Sequence, residues 1–174
     1  MNNNLRKPLA ALVISAAAFS SWVVSEGFTE RAVIPTKGDV PTIGHGSTRY
    51  EDGRSVRIGD KITRKRADEL ARNLLSNDER ALRRSLPVDA TMTQGEWDAY
   101  VNFIGQFGIG NWNSSTSKRK FLAGDYRGAC QALLRFKFSA GYDCSTLVNG
   151  EPNKRCYGVW TRQQERVKTC ESEL

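Results

Sequence analysis

The chain has 174 residues, 39% of them hydrophobic and 26% charged, a balance that excludes intrinsic disorder and leaves room for one domain with a real core. A formal net charge of +7 favours a polyanionic partner, whether nucleic acid, an anionic membrane face or a bacterial cell wall, without choosing among them. Most basic clusters, Arg64-Lys65-Arg66 and Lys118-Arg119-Lys120 among them, have acids nearby and read as solvated faces.

The first element is an uncharged run from Pro8 to Ser25, preceded by Arg6 and Lys7 and ended by Glu26. Its length is near the lower limit of the roughly 17–25 residues that span a bilayer, and the preceding positive charge predicts a cytoplasmic N-terminus with the rest exported. Its alanines and serines make it a marginal anchor. Two alternatives stand beside the anchor: a signal peptide with Ala16-Ala17-Ala18 as its A-x-A site, and a buried core helix of a cytoplasmic domain. The division expected is therefore a membrane-type segment over 1–25 and a catalytic domain over 26–174.

From Arg31 to Ile58 the Gly, Pro, Thr and β-branched residues, with turn signals at Lys37-Gly38-Asp39 and Glu51-Asp52-Gly53, predict short strands in a small sheet. Thr63 then caps a helix that carries Ala67, Leu70, Ala71, Leu74 and Leu75 at helical spacing and runs on until Pro87 stops it. Thr93-Gln94-Gly95-Glu96 is a capping box, followed by Trp97, Tyr100, Val101 and Ile104 on one helix face. Two short helices are expected over Ser117–Leu122 and Tyr126–Phe138, a loop over Ala140–Tyr157, and a last helix opened by a second capping box at Thr161-Arg162-Gln163-Gln164. Trp112 and Trp160 read as core residues rather than sugar platforms.

Cys130, Cys144, Cys156 and Cys170 form no C-x-x-C pair, and the single histidine, His45, lies far from them. Zinc fits poorly; two disulfides in an oxidising compartment, the periplasm or outside the cell, fit better. Of the three connectivities, Cys144–Cys156 closing the loop and Cys130–Cys170 tying two helices together is the favoured one.

The chemistry gathers after the apolar run. Glu26 ends a helical pattern and is followed by Gly27, so its carboxyl projects from a helix terminus, where partial burial would keep it protonated as a general acid. The strand–turn–strand that follows brings Asp39 and Thr42 within reach. Cleaving a glycosidic bond needs a proton for the leaving oxygen and a second polar group to place water or stabilise the developing cation, and Glu26, Asp39 and Thr42 supply both. His45 reads as a hydrogen-bonded structural residue. Asn102 and Gln106, one helical turn apart, are candidates for binding sugar hydroxyls or N-acetyl groups.

Glu26-Gly27-Phe28, Thr42-Ile43-Gly44-His45-Gly46, Phe103 to Gly110, Gly124 to Ala129 and Trp160 to Arg166 come in an order that resembles the phage-type lysozymes of glycoside hydrolase family 24, in particular signal-anchor-release endolysins. The resemblance implies an α+β, mainly helical, two-lobed fold with a small antiparallel sheet lobe. It also implies hydrolysis of the β-1,4 bond between N-acetylmuramic acid and N-acetylglucosamine in peptidoglycan. Glu26 would be the catalytic acid and Thr42 the catalytic threonine. One departure stands out: where the family has an Asp or Cys, this chain has Pro35-Thr36, and the spacing from Glu26 to Thr42 is one residue longer, which makes Asp39 the nearest replacement carboxylate. No metal or cofactor is implied. The partners expected are peptidoglycan and, through the N-terminal segment, the inner membrane, with no nucleic acid and a monomeric state; the place is the inner membrane facing the periplasm, then the periplasm after release. Two rival functions remain, a non-catalytic wall-binding module and a membrane-permeabilising basic protein.

Overall fold

A computed structural model describes residues 5–35 and 38–174; the Pro35-Thr36 departure and the Lys37-Gly38-Asp39 turn signal lie partly outside the described residues. The chain divides into two compact units, residues 14–81 and a second made of residues 1–13 with 82–174.

The smaller unit opens with α1 (Ala16–Glu26), whose first turn is capped by Ser15 Oγ accepting from the Ala18 amide at 3.1 Å. The uncharged run is therefore not one helix. Its first part forms the short strand β1 (Lys7–Pro8) and a 3-10 turn over Leu9–Ala11, and the helix starts only at Ala16 because Ser15 supplies the cap. Phe19 is buried, Trp22 and Val23 are half-buried, and Val24 is exposed. Among the described residues no helix is long and apolar enough to cross a membrane.

After α1 come β2 (Thr29–Val33) and β3 (Thr42–Gly44), paired antiparallel with an irregular register, as the turn and β-branched signals predicted. Helix α2 (Arg64–Arg84) begins at Thr63, whose Oγ1 accepts from the Arg66 amide. Ala67 and Leu70 of α2 pack on Ala32, Ile43, Val56 and Ile62, with Phe28, Tyr50 and Leu74 around them. This apolar cluster fixes β3 and the turn that follows it against α2.

In the larger unit, β1 pairs with β4 (Thr91–Met92), and α3 (Gln94–Ser114) starts at the predicted capping box: Thr93 Oγ1 accepts from the Glu96 amide and Glu96 Oε2 from the Thr93 amide. Trp97, Tyr100, Phe103 and Ile104 are fully or almost fully buried, together with Trp112, whose indole N–H donates to Ser85 Oγ at 2.9 Å. Trp160 is half-buried. At Gly108 the backbone leaves helical geometry with φ 82, which kinks α3 inside the Phe103–Gly110 stretch.

Helices α4 (Thr116–Leu122) and α5 (Tyr126–Gln131) follow, and α5 runs into a 3-10 turn at Ala132–Arg135 rather than continuing to Phe138 as the sequence suggested. Phe138 is instead in a strand: β5 (Phe138–Ser139) pairs with β6 (Tyr142–Asp143), and β7 (Leu147–Val148) with β8 (Glu151–Pro152). The expected loop is thus two tiny hairpins, the second turning through Asn149-Gly150 with positive φ at both residues. The last helix, α6 (Tyr157–Glu171), starts four residues before the predicted capping box. The Cys156 amide donates to Asn153 Oδ1 and starts the helix there, which leaves Thr161 inside it, bonded back to the Tyr157 carbonyl. Both favoured disulfides are present, Cys130–Cys170 and Cys144–Cys156, with Cα separations of 5.7 and 5.0 Å.

Candidate active site

Glu26 is the last residue of α1, and Gly27 behind it takes φ 71, a backbone state that ends the helix and lets the chain turn into β2. The Glu26 side chain is exposed, so the partial burial expected of it is not found; a carboxyl on the last helical residue, ahead of a chain reversal, points away from the core. It nonetheless has a near neighbour in Gly46. Glu26 Oε2 lies 3.4 Å from where a β-carbon on Gly46 would sit, so the carboxylate rests against the bare backbone of that glycine.

Gly46 belongs to a tight turn. Ile43 and Ser47 exchange both backbone hydrogen bonds, each at 3.0 Å, closing the loop Gly44-His45-Gly46. Gly44 has φ 64, and a β-carbon there would come within 2.9 Å of the Ala67 side chain, so only glycine lets the turn lie this close to α2. Thr42 immediately precedes this turn on β3; it is half-buried, with its hydroxyl 3.5 Å from the Val33 carbonyl. The structure therefore joins the Glu26-Gly27 and Thr42–Gly46 motifs, distant in sequence, within one small unit. Asp39 is exposed in the segment between β2 and β3.

The imidazole of His45, with no exposed side-chain surface, is bonded on both sides: Nδ1 to the Gly27 carbonyl and Nε2 to Asp68 Oδ1 at 2.7 Å. Sequence reasoning gave His45 a structural role but missed Asp68.

Asn102 and Gln106, in the larger unit, do share one helix face. The buried guanidinium of Arg166 donates to both amide oxygens, from Nε to Asn102 at 2.6 Å and from Nη2 to Gln106. Their carbonyl ends are thereby fixed, which leaves the amide nitrogens as the ends able to donate to a ligand. Sequence reasoning did not single out Arg166 as their partner, because the pairing spans α3 and α6. Among the described residues no group of three or more His, Cys, Asp or Glu could hold a metal ion.

Comparison with known proteins places these features in context. Residues 23–155 match the Phage lysozyme family. The SAR-endolysin of Enterobacteria phage PA-2 is 28% identical over 94% of this chain and 100% of its own length, and the endolysin of Salmonella phage P22 is 33% identical over 78% of this chain and 90% of its own. Among solved structures, an endolysin from the Escherichia coli O157:H7 phage FAHEc1 superposes with a TM-score of 0.76 at 22% identity, covering 94% of this chain and 96% of that one. A mutant P22 lysozyme superposes with a TM-score of 0.70 at 25% identity, covering 91% and 97%.

Proposed function

The chain belongs to the phage lysozyme family and is a muramidase-type endolysin that cuts the β-1,4 bond between N-acetylmuramic acid and N-acetylglucosamine in peptidoglycan for host lysis, and within that activity we propose that Glu26 is the catalytic acid. The observation that carries the assignment is the seating of the Glu26 carboxylate against Gly46, beside the turn that follows Thr42. In this reading Glu26 gives its proton to the leaving glycosidic oxygen, and Thr42 places the attacking water. Asp39 is the second carboxylate, replacing the one that Pro35-Thr36 lacks. The exposure of Glu26 makes the bound glycan itself the group that excludes water during the proton transfer. Asn102 and Gln106, oriented by Arg166, offer amide donors to sugar hydroxyl or acetyl oxygens.

Glu26→Gln keeps the shape and removes the proton donor, so turnover on purified sacculi should fall by about 10²–10⁴-fold with the fold intact. Near-normal turnover would sink the assignment. Mass spectrometry of the products reads the reaction type in the same assay: a reducing-end sugar marks hydrolysis, an anhydro-sugar transglycosylation. A non-catalytic wall binder would adsorb to sacculi without solubilising them, and a permeabiliser would leak liposomes and leave sacculi whole.

For the N-terminal segment the proposal is an inserted form before lysis and a released periplasmic form after it. Arg6 and Lys7 ahead of an uncharged run support the insertion, as do relatives named SAR-endolysins. The alanine- and serine-rich composition lowers the cost of leaving the bilayer, and in the soluble form Leu9, Leu12 and Phe19 of the same run are buried. Fractionation before and after depolarisation, with the mass of the active species, tests it. An intact N-terminus moving from membrane to periplasm as activity appears supports release; a soluble species beginning at Phe19 before depolarisation rules it out.

A further inference from the structure

The imidazole of His45 makes two bonds that a neutral ring and a carboxylate cannot make together. The Gly27 carbonyl can only accept, so Nδ1 carries a proton. A neutral imidazole has no second N–H, and its bare Nε2 would face Asp68 Oδ1 lone pair to lone pair at 2.7 Å. The contact holds only with one further proton, on Nε2 or on the carboxylate.

What this pair grips is the catalytic turn. Gly27 directly follows Glu26, and Gly46 directly follows His45, so two adjacent residues of one turn meet two adjacent residues at the end of α1: His45 through the Gly27 carbonyl, Gly46 through the Glu26 carboxylate. On its far side the turn is pinned to α2 by Asp68 and by the Gly44–Ala67 contact. Asp68 of α2 bonds the ring directly; Arg64 of α2 stacks over Phe28 at 4.4 Å, and the Phe28 ring centre is 5.8 Å from that of His45. Asp68 keeps 41% of its side chain exposed, whereas His45 itself is enclosed.

We propose that His45 is the positioning residue for Glu26, a strut between Gly27 and Asp68 that holds the carboxyl in its productive direction. This rests on the assignment of Glu26 as the acid. The strut acts on the direction of a group rather than on glycan binding, so its loss appears in kcat with KM little changed.

His45 is the only histidine in the chain, so histidine-selective ¹⁵N labelling of the full-length soluble protein gives the two ring nitrogens of one residue and nothing else. At the pH of the kcat assay on sacculi, the strut requires either two N–H nitrogens or, with the proton on Asp68, an Nε2 that accepts it. Replacing His45 by Phe keeps the ring volume and removes both bonds, and kcat should drop by about tenfold or more with KM within about threefold. Asp68→Asn presents an amide N–H to a bare Nε2, satisfying the neutral ring. It should lose less kcat than Asp68→Leu. An Nε2 that is bare and shares no proton with Asp68, or kcat lost equally in Asp68→Asn and Asp68→Leu, overturns the proposal. If Glu26 is not the acid, Glu26→Gln stays active while the ring signals are unaffected, so failure of the catalytic assignment is distinguishable from failure of the strut.

Discussion

The guanidinium of Arg6 lies 2.8 Å from the carboxylate of Glu96, a residue with no exposed side-chain surface that also closes the capping box at the start of α3. The Arg6 guanidinium further bonds the Thr91 carbonyl at 2.6 Å and stacks on Tyr126 at 3.5 Å. Burial pushes the Glu96 carboxyl above its ordinary value, with the Thr93 amide and Arg6 pulling the other way. Removing one partner of a buried pair leaves an uncompensated charge, so Arg6→Ala should cost about 3–5 kcal/mol near neutral pH. The sign with pH follows from the raised value. Folded Glu96 binds its proton more tightly than unfolded Glu96, so its contribution is most favourable in acid and declines as pH rises through the folded value. Without Arg6 that value climbs further, and the penalty of Arg6→Ala shrinks at acid pH, where the carboxyl protonates instead. Urea unfolding of parent and variant at both pH values measures this; a penalty equal at both would contradict it.

Thr42→Ala and Asp39→Asn divide the roles around Glu26. Thr42 borders the turn that seats the carboxylate, and its loss should reduce kcat on sacculi by about 10²-fold while the unfolding midpoint moves little. Asp39 is exposed, so Asp39→Asn leaves stability unchanged and reports chemistry alone. Loss of activity in both variants supports a two-group water site. Full activity in Asp39→Asn with loss in Thr42→Ala makes Asp39 a turn residue and leaves the threonine to act without it.

The two disulfides should differ in what they hold. Cys130–Cys170 closes a separation of 40 residues and fastens α5 to α6, and loop entropy gives it about 4 kcal/mol; Cys144–Cys156 closes 12 residues around the β7–β8 hairpin and gives about 3. Replacing Cys130 and Cys170 by Ala together should lower the global unfolding free energy. The Cys144/Cys156 double replacement should show chiefly as faster amide exchange over residues 137–156. Equal global losses with no local signature would contradict the division.

Much of this was legible in the sequence where the signal is local. The Thr93–Glu96 capping box, the α2 face of Ala67, Leu70 and Leu75, and the glycines of Thr42–Gly46 all specify their structure within a turn or two of chain. The second capping box at Thr161 failed because an outside bond, from the Cys156 amide to Asn153, starts α6 a turn earlier than the local pattern does. The hairpins over 138–152 went unread although Asn149-Gly150 is a strong turn signal, because two-residue strands leave no alternation to detect. The partners Asp68 of His45 and Arg166 of Asn102 were invisible for a different reason: each bond joins residues from separate elements, and nothing in the local spacing announces it.

Asp78, on α2, carries the remaining pH prediction. It is half-buried, and desolvation alone pushes its carboxyl up to about 6. Because the folded value lies above the unfolded one, the folded protein binds this proton more tightly. The group's contribution is therefore fully present below about pH 4 and is lost as pH rises through about 6, leaving a net cost at neutrality. A shift of this size would correspond to about 3 kcal/mol for an enclosed group, and partial solvent access reduces that to about 1. Asp78→Asn removes the charge and keeps the shape, so it should stabilise the protein by about 1 kcal/mol at pH 7 and by almost nothing at pH 4. Urea unfolding of parent and variant at the two pH values isolates the effect, since every other carboxylate titrates identically in both and cancels in the difference. A gain of the same size at pH 4 and pH 7 would mean that packing, not the buried charge, is what the substitution changed.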